Sequence, residues 1–312
     1  MRGPVNAQTV TAEAPSSIGN VATGFDILGH TLLGPKDRVS VRRIDEPAVR
    51  ARSVTGVVLD LPMDSVRNTA LRALDVLRLD RGLGFGFEID IVKGIPLGSG
   101  MGGSAASAVA ALLAANALLD SPMTVHELYP FALEGEAAAS GGYHGDNVGP
   151  MLLGGLTLAS RNRLIRLPVP PGLTSVLVHP HLVLETRRAR EALRATYAIS
   201  DFVAQSAGLA QLVVGLFTGD LDSIRAGLHD VLVEPRRAHL IPGFGNVKQA
   251  AIDAGALGAS ISGGGPSVFA WFQDSLTAEA ATFAMRSAFA DAGLDSEAFV
   301  SPVDGPGARV IS

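Results

Sequence analysis

An α+β fold in two packed units is what this sequence predicts, from three observations. Strand-like and helix-like segments alternate through both halves of the 312 residues. A connection rich in Pro168, Pro170, Pro171 and Gly172 separates the halves, as linkers between packed units do. The third observation is 36 glycines; glycine is costly inside helices and strands, so such an excess marks sharp turns and close approaches of backbone to a ligand. We set the boundary between residues 165 and 166, giving units 1–165 and 166–312.

The elements follow in chain order. Val39-Ser40-Val41, Thr55 to Leu61 and Phe85 to Val92 carry the β-branched and aromatic residues of half-buried strands. Asn68 to Leu79 spaces Leu71, Leu74 and Leu77 at helical period, with Arg and Asp between them, which predicts an amphipathic helix. Ser104 to Leu119 is small and apolar nearly all round, the character of a helix packed in the middle of a domain. Val125 to Ala139 reads as another helix, with Thr124 or Ser121 near its start and Gly141-Gly142 after its end. Past Gly154-Gly155 come a strand at Ser175 to Pro180, helices from about Arg187 and Phe202, and a helix at Phe244 to Ala254. A strand near Val268 to Phe272, a helix at Thr277 to Ala292 and a short final strand complete the chain.

Composition excludes several classes of function. There is no cysteine, so disulfides, thiolate metal sites, iron–sulfur clusters and cysteine nucleophiles are impossible. The charge of −5 without a long basic run leaves no footprint for nucleic acid and fits a membrane surface poorly. The start of the chain lacks the apolar core of a secretion signal. The apolar stretch from Ala105 to Leu119 falls short of the roughly 20 residues a bilayer demands. A cytoplasmic protein is expected.

The informative glycines fall in three clusters. Gly94-Ile-Pro-Leu-Gly-Ser-Gly-Met-Gly-Gly-Ser-Ala-Ala-Ser107 leads from a predicted strand into the small-residue helix. Free backbone N–H groups and the helix dipole at such a junction bind phosphate. Gly98, Gly100, Gly102 and Gly103 keep Cβ atoms out of the way, while Ser99 and Ser104 offer hydroxyls to phosphate oxygens or Mg²⁺. No G-K-[ST] ending is present, and the dinucleotide fingerprint overlaps only loosely. Ser262-Gly-Gly-Gly-Pro-Ser267 predicts a tight loop between a helix and a strand. Ala14 to Gly29 mixes glycines with Asn20 and Asp26, which could fix a ligand's amino group and hydroxyl or could simply form turns.

Charged residues add a second layer. Glu136, beyond the glycine loop, and the Ser104 hydroxyl make an oxygen pair suited to Mg²⁺, whereas Glu134 reads as a solvated charge. Arginines at Thr186-Arg-Arg-Ala-Arg190 and in Glu234-Pro-Arg236-Arg237 could grip a carboxylate in two-pronged fashion. His179 and His181 share a strand face but lack a third ligand nearby, so no zinc site is expected.

Pro96 to Ala106 (P-L-G-S-G-M-G-G-S-A-A) resembles the phosphate-binding motif P-x-x-x-G-L-G-S-S-A of the galactokinase, homoserine kinase, mevalonate kinase and phosphomevalonate kinase superfamily. It departs from that motif at Met101 and at Gly103, which stands where a serine is usual. The 262–267 cluster resembles the superfamily's C-terminal glycine motif. Ala14 to Gly29 resembles A-P-x-S-x-x-N-x-x-x-G-F-D, the N-terminal motif of its homoserine kinases. The resemblance spans nearly the whole chain. It implies an N-terminal ribosomal-protein-S5-like ATP-binding domain and a C-terminal ferredoxin-like domain, with the active site between them.

The resemblance further implies that ATP lies on Pro96, Leu97, Gly98, Ser99, Gly100, Met101, Gly102, Gly103, Ser104, Ala105 and Ala106, with Gly264 and, more remotely, Asn68 and Lys93. Mg²⁺ would sit on Ser104 and Glu136. An L-homoserine acceptor would be held by Asn20, Asp26, Thr186, Arg190 and Arg237, with its hydroxyl at Asn147 and His144. Asp146 is a second reading as a base, because mevalonate kinase uses an aspartate in this region while homoserine kinases are thought to work without one. A mevalonate-type kinase and a non-catalytic nucleotide-binding homologue are the competing functions, and Asp26, the two arginines and Glu136 argue against them. A homodimer is an admissible assembly.

Overall fold

The computed structural model describes residues 8–312. Residues 1–7, which carry most of the segment read above as lacking a secretion signal, lie outside the described residues. The first half begins with β1 (Thr9–Gly19), β2 (Leu28–Ile44), β3 (Val49–Gly56), α1 (Thr69–Asp80) and β4 (Gly86–Lys93). It continues through α2 (Gly103–Asn116), α3 (Val125–Ser140), α4 (Val148–Leu153) and the hairpin β5 (Leu156–Ser160) and β6 (Arg163–Arg166). These strands form one mixed sheet in the order β11-β1-β2-β4-β3, with β5 also on β2, and the last strand, β11 (Arg309–Val310), returns from the C-terminus to its edge. Among the described strands, only β3 and β4 pair in parallel. The strand expected at Thr55 to Leu61 stops at Gly56, whose φ of +98° turns the chain out of the sheet and leaves Val57 and Leu59 exposed.

α2 is the central helix. Its alanines let it lie against β1 and β2 on one side and α1 and α3 on the other, and nearly every position from Ala105 to Asn116 is buried. Helices that are apolar all round belong in such cores. Thr124, rather than Ser121, starts α3, through a capping box with Glu127.

The second half runs β7 (Thr174–Pro180), α5 (Thr186–Glu191), α6 (Ile199–Thr218), α7 (Leu221–Gly227), α8 (Glu234–Arg237) and α9 (Phe244–Asp253). It closes with β8 (Gly258–Ile261), β9 (Val268–Phe272), α10 (Ser275–Asp291) and β10 (Ser296–Pro302). The antiparallel sheet order is β10-β7-β9-β8, the ferredoxin-like arrangement. The 262–267 loop therefore joins two strands, not a helix and a strand as expected, because the short Gly258–Ile261 run pairs with β9. Val176, Val178, Ala270 and Phe272 face Val247, Met285 and Phe289 on α9 and α10. Leu177, Phe269 and Trp271 point the other way, into the core of the first half. The unbroken apolar run Val-Phe-Ala-Trp-Phe is thus a strand covered on both faces.

α6 has the length and composition to cross a bilayer, a property hidden in the sequence by Asp201 and Gln205. Gln205, Gly208, Leu212, Gly215 and Leu216 pack inside the protein, while Ile199, Val203, Val214 and Phe217 are exposed.

The two sheets are joined by a buried polar contact: Trp271 Nε1 donates to His30 Nε2 at 3.1 Å, and His30 Nδ1–H donates to the Thr31 carbonyl at 2.8 Å. This arrangement needs a neutral imidazole, and burial pushes the His30 pKa down to about 4. The unfolded chain then binds a proton near pH 6.5 that the folded chain refuses until about pH 4. The stabilisation is complete above pH 6.5 and fades as pH falls towards 4, by on the order of 3 kcal/mol. Denaturant unfolding should show the advantage of the wild type over His30→Gln shrinking by that order between pH 7 and pH 4; a difference independent of pH would refute the assignment.

Candidate active site

The glycine loop from Gly94 to Gly102 joins β4 to α2, and Gly98, Gly100 and Gly102 have φ of +60°, +78° and +71°. A Cβ on Gly100 would come within 2.5 Å of the Ser262 carbonyl, so glycine there is what lets the second glycine loop lie on the first. Gly102 precedes the first turn of α2 without a side-chain cap. The N–H groups of that turn are therefore open to an anion. Gly103 faces Ile95, and a Cβ there would sit 3.1 Å from its Cγ2, so the serine usual at this position would need Ile95 to give way.

All three glycine clusters meet. Ser267 Oγ donates to the Ser99 carbonyl at 2.6 Å, and Ser262 Oγ to that of Gly100 at 2.7 Å. Ser17 N–H donates to the Met101 carbonyl at 3.1 Å and Gly263 N–H to that of Gly19 at 3.2 Å. The cleft they enclose is also lined by Glu136, His144, Asp146, Asn147, Thr186, Arg190 and Arg237. The ATP-side residues Pro96, Leu97, Gly98, Gly100, Gly102, Gly103, Ser104 and Gly264 line it too.

Several expected residues have other work. Met101, Ala105 and Ala106 are wholly buried beneath the loop. Ser99 also lines the cleft, but its hydroxyl donates to the Pro96 carbonyl within the loop. Asn68 is not brought to the cleft: its side chain caps α1 by accepting from Ala70 and Leu71 N–H and donates to the Pro62 carbonyl. Lys93 is buried below the loop. Asn20 lines the cleft, yet its amide is engaged, accepting from Asp26 N–H at 3.0 Å and donating to the Gly263 carbonyl at 2.7 Å. It thereby secures a strained turn in which Asn20, Val21, Ala22 and Asp26 all have positive φ, a conformation that non-glycine residues hold only under tertiary constraint.

Ser104 Oγ donates to Glu136 Oε2 at 2.8 Å. Burial pushes the Glu136 carboxyl up to about 7, so this acid is poised to ionise when a cation arrives. Glu134 points away, to Arg72 and Tyr143. Asn147 stands at the start of α4 and accepts from the Ser17 hydroxyl at 2.8 Å. Asp146 is buried and pushed up to about 7, by burial first and then by the charge of Asp26. It accepts the backbone N–H of Asn20, while Oδ1 has no partner among the described residues. His144 Nε2 lies 3.6 Å from Asp26 Oδ2, and burial lowers its pKa.

Asp26 and Arg190 form a two-pronged ion pair at 2.6 and 2.7 Å. Arg237 is 2 % exposed, and its guanidinium bonds only neutral carbonyls, those of Ala189 at 3.0 Å and Gly263 at 2.9 Å. Burial pulls its pKa down to about 10. A buried cation without an anion is expensive, and among the described residues Arg237 takes part in no ion pair. Phe25 lies under both arginines, with ring distances of 5.0 and 5.2 Å. Sequence reasoning passed over this ring and Ser17, although both fall inside the N-terminal motif. His179 Nδ1 lies 3.1 Å from the Ser267 hydroxyl.

A phosphate-binding helix start, a hydroxyl–carboxylate pair and a carboxylate-seeking arginine around one cleft define a small-molecule phosphotransferase. The models of the GHMP kinases N-terminal and C-terminal domains match residues 68–155 and 212–291. A homoserine kinase of Xanthomonas campestris is 58% identical over 96% of this chain and 94% of its own. The crystal structure of homoserine kinase from Cytophaga hutchinsonii superposes with a TM-score of 0.93 at 41% identity, covering 100% of both chains. A more distant structure, at 14% identity and TM-score 0.67 over 97% of this chain and 99% of its own, holds AMPPCP and magnesium and shares the fold. The chain belongs to the GHMP kinase family, among its homoserine kinases, and the two-domain α+β fold expected from its sequence is the one observed.

Proposed function

We propose that this chain transfers the γ-phosphoryl group of ATP to the side-chain hydroxyl of L-homoserine, giving O-phospho-L-homoserine and ADP for threonine biosynthesis, in the cytoplasm where ATP is held. The observation that carries the acceptor's identity is Arg237: a buried guanidinium that takes part in no ion pair among the described residues, beside the Asp26–Arg190 pair. An amino acid's carboxylate supplies the missing charge, and its ammonium finds Asp26. Mevalonate has no ammonium to offer.

Phosphoryl transfer through a loose transition state needs positioning and charge neutralisation more than covalent help. The glycine loop and the α2 N-terminus cradle the phosphates. Ser104 and Glu136 would hold Mg²⁺: both are oxygen donors and the carboxylate is buried, a pair that suits a cation that keeps waters and substrate phosphates as its other ligands. A cation held there would supply positive charge against the charge that builds on the phosphates. The homoserine hydroxyl, oriented by Asn147, forms the new P–O bond as the bond from the γ-phosphorus to the bridging oxygen breaks. Its proton departs with phosphate or water.

Asp146 serves by securing the Asn20 backbone rather than as a base. Asn147→Ala should lower kcat more than Asp146→Asn, and both should keep the same pH profile. A larger loss for Asp146→Asn, together with disappearance of a limb near pH 7, would establish an aspartate base. We propose in addition that the chain assembles as a homodimer; sedimentation equilibrium should find a dimer, and a monomeric wild type would exclude it.

A further inference from the structure

Asp37 has no part in the chemistry described so far, yet its carboxylate is completely buried. Its Oδ1 accepts the backbone N–H groups of Gly94 at 3.0 Å and Ile95 at 3.1 Å, the first residues of the glycine loop. Its Oδ2 accepts from Ser107 Oγ at 2.7 Å and pairs with Lys93 Nζ. The Lys93 ammonium, 2 % exposed, also donates to the Gly103 carbonyl at 2.7 Å and to Ser107 Oγ at 3.0 Å. One buried cluster thus grips both the entry of the loop, at Gly94 and Ile95, and its exit, at Gly103 and Ser107.

An ammonium has three N–H donors and no acceptor, and Lys93 already has three acceptors. None of its hydrogens is left for a phosphate oxygen, so it does not act as a phosphate ligand. The segment between the grips contains three residues with positive φ and would sample many conformations if its ends were loose. Backbone N–H groups bind a polyphosphate well only when already aimed at it. On the acceptor side Asp26, Arg190 and Arg237 are held by other partners and touch none of this cluster.

We infer that Asp37, Lys93 and Ser107 are positioning residues for the nucleotide: they fix the span between loop entry and the start of α2, and so set ATP affinity without contacting ATP or influencing homoserine. The inference rests on the reading of the glycine loop as the ATP site. A buried ion pair adds little net stability, whereas removing one partner alone is severe. The test therefore removes both charges together, in Asp37→Asn with Lys93→Met, and separately the hydroxyl alone, in Ser107→Ala.

ADP titrated calorimetrically into the wild type and both variants, with steady-state kinetics in ATP and in homoserine, gives the answer. The expected result for the double variant is a circular dichroism spectrum like the wild type's, weaker ADP binding and a higher KM for ATP by about tenfold or more, with the KM for homoserine within about twofold. Ser107→Ala should show the same split at about threefold. A folded double variant with unchanged ADP affinity overturns the inference, as does an equal rise in both KM values. Should the double variant fail to fold, Ser107→Ala decides: an unchanged KM for ATP overturns the inference. A wild type that binds no ADP overturns the ATP reading and this inference with it, whereas wild-type binding that the variants share overturns this inference alone.

Discussion

Glu136→Gln should lower kcat by about 10²–10³-fold while leaving the fold intact. Glutamine matches glutamate in shape and can still accept the Ser104 hydroxyl, now 2.8 Å from Oε2, so the site loses charge without losing volume. What disappears is the carboxylate bonded to Ser104 where the glycine loop enters α2. The carboxyl is already strained by burial, which pushes its pKa to about 7, so the neutral variant should be at least as stable as the wild type at and above pH 7. Kinetics across a magnesium titration, with thermal unfolding in parallel, reads both effects. A kcat within about threefold of wild type, with the same magnesium dependence, would remove Glu136 from the catalytic account.

Arg237→Met should be the more selective lesion, reducing kcat/KM for homoserine by about 10³-fold or more while sparing the KM for ATP. Methionine fills much of the space and leaves no charge, but the two carbonyls that Arg237 now bonds, of Ala189 and Gly263, lose a donor. Some general weakening is therefore expected, and a chemical counterpart separates it from lost recognition. 3-Aminopropan-1-ol is homoserine without its carboxylate. The wild type should discriminate against it by about as much as the mutation costs, and Arg237→Met should discriminate hardly at all. A variant that keeps the wild-type preference would show that the carboxylate binds elsewhere. Arg190→Met, which frees Asp26 from its ion pair, should lose discrimination only in part.

How legible all this was depended on whether each signal was local. The small-residue helix α2, the buried run of β9 and the glycine loop announce themselves within a dozen residues, because close packing and tight turns demand particular residue types there. β1 and the first part of β2 did not read as strands: Pro15, Ser16, Ser17 and Gly19 look like loop chemistry, yet this segment is buried between β2 and α2. Asp26 and Arg190 are 164 residues apart, and nothing in either neighbourhood says that they pair. The sequence suggested separate jobs for them, whereas in the fold they form one dipolar surface matched to an amino acid. Lys93 shows the same limit from the other side. A lysine ahead of a glycine loop suggests a phosphate contact, and only its three acceptors reveal that its charge is spent below the loop.

The central claim is that the cleft phosphorylates an amino acid, and coupled ADP release with homoserine, serine, threonine and mevalonate as acceptors tests it most directly. Homoserine should be turned over well above the other three: serine places its hydroxyl one methylene short, the hydroxyl of threonine is secondary, and mevalonate lacks the ammonium that Asp26 is placed to meet. ADP formation with mevalonate in preference to homoserine, or equal inactivity on all four, would contradict it.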